Sequence, residues 1–375
     1  MKIEKLDVEL LKSLNFLNKA VTKEEILASY YTFVNLLSIY ELKTNDSKYL
    51  DYLAAIFYKN KDIARVIDCS KIRENNFNAA VGFKRNTDVM NGFLLDLMRE
   101  FYVYDEKFTN LKLKNDKSLT KEESIDIIKS FLNSTDKDAY KKFLKVLDED
   151  NLLFLDLKER EETGFMSNNY LNNTINIVID ENLPSLLELT TISYEVGHIM
   201  NKTNTIEDID RISASIYSEV KPKIYENELL RYLAKNNVLK EDIKNMEKIM
   251  LQQTYISIQE TLLLSCFKKD NLDYLIRYPL KDLLNIGNDM TLGKEINTTG
   301  LELEEDYKEI NSLFKSLWGD LIATSYLDGN IFTKNKIKQE YETNKDASLD
   351  LNSINKLISF NPAKVYKKKL TKVIK

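Results

Sequence analysis

The stretch from Thr190 to Met200 has the sequence TTISYEVGHIM and contains His198, the single histidine of the chain. It is predicted to be helical and carries the motif H-E-x-x-H with Tyr194 in place of the first histidine. In the intact motif, histidines at i and i+4 bind Zn²⁺ from one helical face, and the glutamate acts as general base. Glu195 and His198 keep their positions, so the question is whether a site with one imidazole retains this chemistry.

Composition predicts a mainly helical protein. The 375 residues are 43% hydrophobic and 30% charged, with nine glycines and four prolines, which favours helices and few tight turns. The net charge is −5 with both signs interspersed, unlike the basic face of a nucleic-acid-binding protein. No window approaches the ~20 apolar residues of a membrane span, and the charged N-terminus lacks the apolar core of a signal peptide. We therefore expect a cytoplasmic protein with neither nucleic-acid nor membrane partners.

Apolar residues three and four positions apart predict helices along most of the chain. Thr120 is expected to cap one of them, with Glu123 completing a capping box. The pattern changes at 152–157 and 174–180, where short apolar or β-branched runs predict a small β element, either a hairpin or a three-stranded edge sheet. Residues 164–169 between these runs are rich in turn formers. The next predicted helix, about 183–202, carries the motif.

Several stretches, in their order along the chain, resemble the thimet oligopeptidase and oligoendopeptidase F group of zinc metallopeptidases, chiefly its oligoendopeptidase F branch. These stretches are Glu74–Ala80, Phe154–Leu157 with Thr163–Ser167, Tyr194–His198, Ser218–Val220 with Glu226 and Leu229–Leu233, and Glu309–Ile310 with Ala323–Thr324. The resemblance covers about residues 62–330 and is most specific between 150 and 235. It implies a mainly α, neurolysin-like, two-lobed fold around a deep peptide channel, with a small β-sheet beside it.

We divide the chain into a helical N-terminal lobe at 1–150, a peptidase-like region at 151–330 and a helical C-terminal extension at 331–375. In the resemblance, a strand at the edge of the small sheet binds peptide backbone by strand addition, which recognises any extended peptide. That edge strand is expected at Ile175–Asp180. The predicted substrate contacts are Ile175, Asn176, Ile177 and Val178.

The resemblance also implies the roles of the site residues. It makes Tyr194, His198 and Glu219 the ligands of a Zn²⁺ ion, Glu195 the general base and Glu226 a supporting residue behind the ligands. A tyrosine has a pKa near ~10 and must lose its proton to bind zinc strongly. Without the metal, the water that Glu195 activates keeps a pKa near ~15.7. Alternatively, Glu195 is a hydrogen-bonded carboxylate in an inherited pocket, and Glu226 is a solvated helix glutamate.

A second departure from the family pattern lies at 310–324. The family places a histidine and tyrosines there, which donate hydrogen bonds to the oxyanion, and losing one such donor costs ~10²–10³ in rate. This stretch contains neither residue type. Ser312, Phe314 and Trp318 stand near the expected donor positions, so we interpret the segment as a degraded oxyanion site.

Three functions remain open from the sequence. The first is an oligoendopeptidase F-like protein with impaired or absent catalysis, which retains a channel and binds short peptides or an extended protein segment. The alternative is an active zinc-dependent oligopeptidase that hydrolyses short peptides through an unusual Tyr/His/Glu metal site. The third is a structural or regulatory subunit whose groove is closed by its own C-terminal segment, 330–375.

Overall fold

The structure is a computed structural model and describes most of the chain in separate ranges. These are 2–68, 86–108, 111, 113, 118–158, 160, 162–201, 215–267, 312–344 and 351–374. Two stretches that carry the sequence resemblance, Glu74–Ala80 and Glu309–Ile310, lie outside these ranges. No helix within them is both long enough and apolar enough to cross a membrane.

Helices form most of this part of the chain, and they are accompanied by one three-stranded sheet, which confirms the mainly α prediction. The elements are α1 (Ile3–Lys19), α2 (Lys23–Thr44), α3 (Tyr49–Lys59), α4 (Lys61–Asp68), α5 (Thr87–Tyr102), a 3-10 turn (Asp105–Phe108), α6 (Lys121–Thr135), α7 (Lys137–Asp148), β1 (Leu152–Leu155), β2 (Gly164–Asn169), β3 (Thr174–Asp180), α8 (Ser185–Asn201), α9 (Val220–Lys235), α10 (Lys240–Phe267), α11 (312–328), α12 (Ile331–Asn344), α13 (Leu351–Ser359) and α14 (Pro362–Ile374).

The helix start at Thr120 is the one predicted from sequence. The Thr120 hydroxyl accepts a hydrogen bond from the Glu123 N–H at 3.2 Å, and the Glu123 carboxylate accepts one from the Thr120 N–H at 2.8 Å. Helix α2 begins with the same arrangement at Thr22 and Glu25. In each case the side chains satisfy N–H groups that the helix itself cannot bond.

Removing the cap of α6 is expected to have a moderate effect on stability. The Thr120→Ala substitution leaves the Glu123 N–H without its acceptor, and we expect the free energy of unfolding to fall by about 1 kcal/mol. Thr120→Ser keeps the hydroxyl and serves as the control, with a change of a few tenths of a kcal/mol. Urea unfolding followed by circular dichroism measures both, and an equal loss in the two variants would contradict the role of the cap.

The sheet has the strand order β1-β3-β2. Strand β3 pairs in parallel with β1 from Ile177 to Asp180 and antiparallel with β2 from Thr174 to Ile179. The sequence-based placement of 175–180 at an edge is therefore wrong. Residues 177–179 are fully buried, as expected of a β-branched run covered on both sides. A substrate contact at 175–178 stays a prediction, while the turn-rich stretch 164–169 is in fact strand β2.

Helix α2 covers one half of the outer edge of β2. The Asn35 side-chain amide donates to the carbonyl oxygen of Asn168 at 2.9 Å, and the Ser167 hydroxyl donates to the carbonyl oxygen of Asn35 at 3.1 Å. The N–H of Tyr170 donates to the Thr32 hydroxyl at 2.9 Å. The second half of β2 is thereby fixed to a helix.

The chain forms two compact units. The first contains residues 1–70, 113–210 and 225–243, and the second contains 71–112, 211–224 and 244–375. The core of the first packs α1 to α4 against the sheet, with Phe33 and Val178 fully buried. The core of the second includes Phe101, Trp318 and Tyr366. The three consecutive regions proposed from sequence stay a prediction.

The C-terminal helices α13 and α14 belong to the core of the second unit. Ile354, Leu357 and Leu370 are fully buried in the same cluster as Trp318. The buried Tyr366 hydroxyl donates to the Asp320 carboxylate on α11 at 2.7 Å. The segment that the third hypothesis assigned to closing a groove is thus used to build this core.

Candidate functional site

Helix α8 presents the aromatic pair Tyr194 and His198 on one face, as the i, i+4 spacing requires. The rings are half-buried, their centroids are 4.9 Å apart and their planes meet at 85°. This is the edge-to-face arrangement that aromatic rings prefer. The tyrosine that replaces the first histidine therefore packs directly against the remaining imidazole.

Two carboxylates of the first unit are withdrawn from solvent. Glu195 is 3% exposed and Glu226 is 8% exposed, so the interpretation of Glu226 as a solvated helix glutamate is wrong. Both side chains have interaction partners within the protein, as a buried charge requires. The Ser193 hydroxyl donates to the carbonyl oxygen of Tyr225 at 3.0 Å. This bond fixes the start of the residue 225–235 stretch against α8, one residue before Glu226.

A second anchor holds the same stretch. The Tyr225 hydroxyl donates to the carboxylate of Asp136 at 2.5 Å, and Asp136 also caps α7. Burial and this hydrogen bond raise the pKa of Tyr225. Tyr225 on α9 is thus hydrogen-bonded both to Ser193 on α8 and to the cap residue of α7, and no motif in the sequence indicates these bonds.

Glu188 is a buried carboxylate that the sequence interpretation missed. It is fully buried on α8 and precedes Glu195 by two helical turns, so the two residues share a face. Charged residues are almost never fully buried unless they are paired. The spacing of two helical turns between Glu188 and Glu195 is visible in the sequence, and it is the signal that could have related Glu188 to the motif.

Glu219 lies in the second unit, immediately before α9. Helix α11 approaches it closely at Gly319, where a Cβ would lie 2.8 Å from the carbonyl carbon of Glu219. Lys315 lies one turn earlier on α11 and is 8% exposed. Burial lowers the pKa of Lys315 to about 8, while attraction to the Glu219 carboxylate acts in the opposite direction. The side chain therefore remains largely protonated at neutral pH, and Glu219 attracts it, an interaction that the sequence interpretation did not identify.

The three residues expected at a degraded oxyanion site lie on α11. Ser312 is exposed, whereas Phe314 and Trp318 are each 2% exposed and belong to the hydrophobic core. Their ring centroids are 4.9 Å apart. Within the part of the chain that the structure describes, the Trp318 indole N–H has no hydrogen-bond partner. Phe314 and Trp318 therefore serve packing in the second unit.

By their chemistry, the three expected ligands are not the usual donor set of a catalytic zinc. A catalytic zinc takes three protein ligands, usually from His, Cys, Asp and Glu, plus water. In the described ranges, no group of three or more such side chains is placed to hold a metal ion. The first donor is a phenol packed on His198, and Glu219 faces an ammonium. A zinc site formed by Tyr194, His198 and Glu219 remains a hypothesis.

Two cavities in the described part of the first unit are lined by residues other than the motif. One, of ≈ 160 Å³, is lined by Lys142, Lys145, Val146, Glu149, Asn173, Thr174, Ile175 and Ile199. The other, of ≈ 390 Å³, is lined by Leu119, Glu123, Asp126, Ile127, Ser130, Tyr232, Asn236 and Val238. Ile175 is the one predicted substrate residue among them. Neither cavity is lined by Tyr194, Glu195 or His198.

The first half of β2 offers backbone groups on its outer edge. In an antiparallel pair, the N–H and C=O of alternate residues point away from the partner strand. The carbonyl of Asn168 and the N–H of Tyr170 point outward, since both bond to α2. The backbone groups of Gly164 and Met166, at the alternate positions before them, therefore point outward as well. No residue in the described ranges hydrogen-bonds to the outward groups of these two. Within the described part of the chain, these outward groups are therefore candidates for pairing with an added strand.

Comparison with known proteins gives a distant structural likeness. No protein-family model matches the chain, and no curated protein matches its sequence. Three solved structures are similar. A Bacillus anthracis strain Ames protein assigned as an oligoendopeptidase F has 12% identity and a TM-score of 0.41, over 97% of this chain and 68% of that one. PZ peptidase A, solved with an inhibitor, has 10% identity and a TM-score of 0.48, and the match covers 100% of this chain and 97% of that one.

The third structure is a Chlamydophila abortus protein assigned as a peptidase, with 14% identity and a TM-score of 0.48. The match covers 99% of this chain and 62% of that one. All three likenesses are distant, with TM-scores between 0.41 and 0.48. The activity named for each of these proteins is its own.

Proposed function

We propose that this chain is an oligoendopeptidase F-like protein that binds extended peptide segments and does not cleave them by zinc chemistry. The observation that carries the proposal is that the outward backbone groups of Gly164 and Met166 on β2 have no hydrogen-bond partner among the described residues. The motif helix α8 carries Tyr194 where the intact motif has its first histidine. The resemblance of several sequence stretches to a group of peptidases supports a peptide as the ligand. The cytoplasmic location predicted from sequence is part of this proposal.

Strand addition is the recognition mode that the edge supports. An extended peptide pairs its own N–H and C=O groups with those of Met166 and Gly164, and side chains contribute little to the register. This mode accepts many sequences because every peptide carries the same main chain. It takes the place of the β3 edge expected from sequence, since β3 has strands on both sides along 177–179.

The second candidate function is zinc-dependent hydrolysis of short peptides. The observation that favours it is the retained spacing of Glu195 and His198 on α8, with Glu195 buried. In that case Zn²⁺ would be held by Tyr194, His198 and Glu219 and would supply an activated water. Against it stand the phenol of Tyr194 in the place of the first imidazole and the attraction between Lys315 and Glu219.

A proline at position 166 tests the edge directly. Met166→Pro removes the outward N–H without touching the β2–β3 ladder, and proline is tolerated on edge strands. We expect the affinity for fluorescein-labelled, random-sequence peptides of about ten residues to fall at least ~10-fold, or about 1.4 kcal/mol. Fluorescence anisotropy measures it. Met166→Ala keeps the N–H and is the matched control, with affinity within about threefold. Equal losses in the two variants would assign binding to the side chain and contradict strand addition.

A turnover assay separates the two candidate functions. We expect a quenched peptide of about ten residues to remain uncleaved by the chain in the presence of Zn²⁺, because the donor set lacks the ligands that a catalytic zinc requires. The Glu195→Gln and His198→Ala variants should then be indistinguishable from the wild type. Zinc-dependent cleavage that both variants abolish would establish the second candidate instead.

A further inference from the structure

Two opposite charges meet in the second unit where the family resemblance places a metal ligand. Lys315 on α11 is 8% exposed, and Glu219, just before α9, is half-buried. An ammonium this far from solvent is costly unless a partner compensates it. The carboxylate of Glu219 attracts Lys315 and therefore supplies that compensation.

The backbone brings the two residues together. Gly319 has no side chain, so α11 lies against residue 219 at a distance that a Cβ would not allow. Lys315 is four residues before Gly319 and shares its face of the helix. The contact at Gly319 therefore sets the Lys315 side chain on the side of α11 that faces Glu219.

We propose that Lys315 is the resident counter-cation of Glu219 and fills the electrostatic role that a metal ion would have at this carboxylate. A divalent cation that approached Glu219 would meet the like charge of the ammonium. Glu219 is thereby committed to a side chain of its own unit. This inference goes beyond the proposed function, because it holds whether or not the chain binds peptides.

A double-mutant cycle tests the pairing. We expect Lys315→Met and Glu219→Gln each to lower Tm by about 4 °C or more, since each leaves one withdrawn charge without its partner. The double variant should lose at least about 3 °C less than the sum of the two single losses. The control pairs Lys315→Met with Asp328→Asn, an exposed acid at the far end of α11, and the two losses should add to within about 1 °C.

The double variant decides the result if a single variant fails to fold. Removal of both charges together should restore a folded protein if each charge compensates the other. Additive losses in the Lys315→Met/Glu219→Gln variant, or a double variant that folds no better than the worse single one, would overturn the pairing.

A zinc titration tests the second half of the proposal. Competition with a chelating dye measures the affinity for Zn²⁺ of the wild-type chain and of the Glu219→Gln variant. We expect Glu219→Gln to leave this affinity within about threefold, because the carboxylate is already engaged. A weakening of ~10-fold or more would mean that Glu219 binds the metal despite Lys315, and the proposal would fail.

Discussion

Gly319→Ala is expected to lower the free energy of unfolding by about 1–3 kcal/mol, the range for overpacking a well-packed site. The added methyl would lie 2.8 Å from the carbonyl carbon of Glu219, so helix α11 or the chain at 219 must shift. Backbone atoms cannot turn aside as the end of a flexible side chain can. The loss therefore reflects displacement of the main chain. Urea unfolding measures it.

Gly92→Ala is the matched control for this change. Gly92 also lies within a helix of the second unit, α5, but a Cβ there would meet nothing within 4 Å. The same substitution should then stabilise the protein by about 0.5–1 kcal/mol, since alanine is the better helix former. A lower free energy of unfolding in Gly319→Ala together with a higher one in Gly92→Ala would attribute the loss to the contact with Glu219. A stabilising Gly319→Ala would contradict the close approach of α11.

Leu370→Ala is expected to have the largest effect, a loss of about 2–5 kcal/mol in the free energy of unfolding. Leu370 is fully buried on α14, in the core that also holds Phe101 and Tyr366. Truncation there leaves a cavity that the surrounding helices fill only in part. The Phe101 and Tyr366 rings, 5.3 Å apart, already link α14 to α5. Thermal and urea unfolding both report the change.

Lys368→Ala, at an exposed position of the same helix, provides the control and should change stability by no more than about 0.5 kcal/mol.

Removal of α14 as a whole should abolish cooperative unfolding of the second unit. The hypothesis of a groove closed by the C-terminal segment makes the opposite prediction. A truncated chain that stays folded and binds peptides more tightly would support that hypothesis.

Local signals in the sequence proved reliable wherever short-range interactions decide the structure. The capping box at Thr120 and Glu123 is present as predicted, because a side chain and an N–H three residues apart meet in any helix that starts there. The helical face shared by Tyr194 and His198 follows in the same way from the i, i+4 spacing. The small sheet was predicted from β-branched runs, and it is present.

Errors occurred where the outcome depends on which segments lie next to each other. The run at 174–180 alternates like an edge strand, yet β1 pairs with it in parallel and makes it central. Parallel pairing joins segments that are distant along the chain, and no local pattern indicates it. Glu226 has the surroundings of a surface helix residue in the sequence but is 8% exposed. Its burial depends on contacts with other elements.

By itself, the sequence determined a mainly helical protein with one small sheet and a zinc-motif helix that has lost its first histidine. These properties follow from composition, the helical period and single residue identities, all of which act over a few residues. Only the tertiary structure decided that Tyr194 packs on His198 and that Glu219 is a charge partner of Lys315. The second pairing joins residues almost a hundred positions apart, through a close helix approach at Gly319 that short-range patterns do not encode.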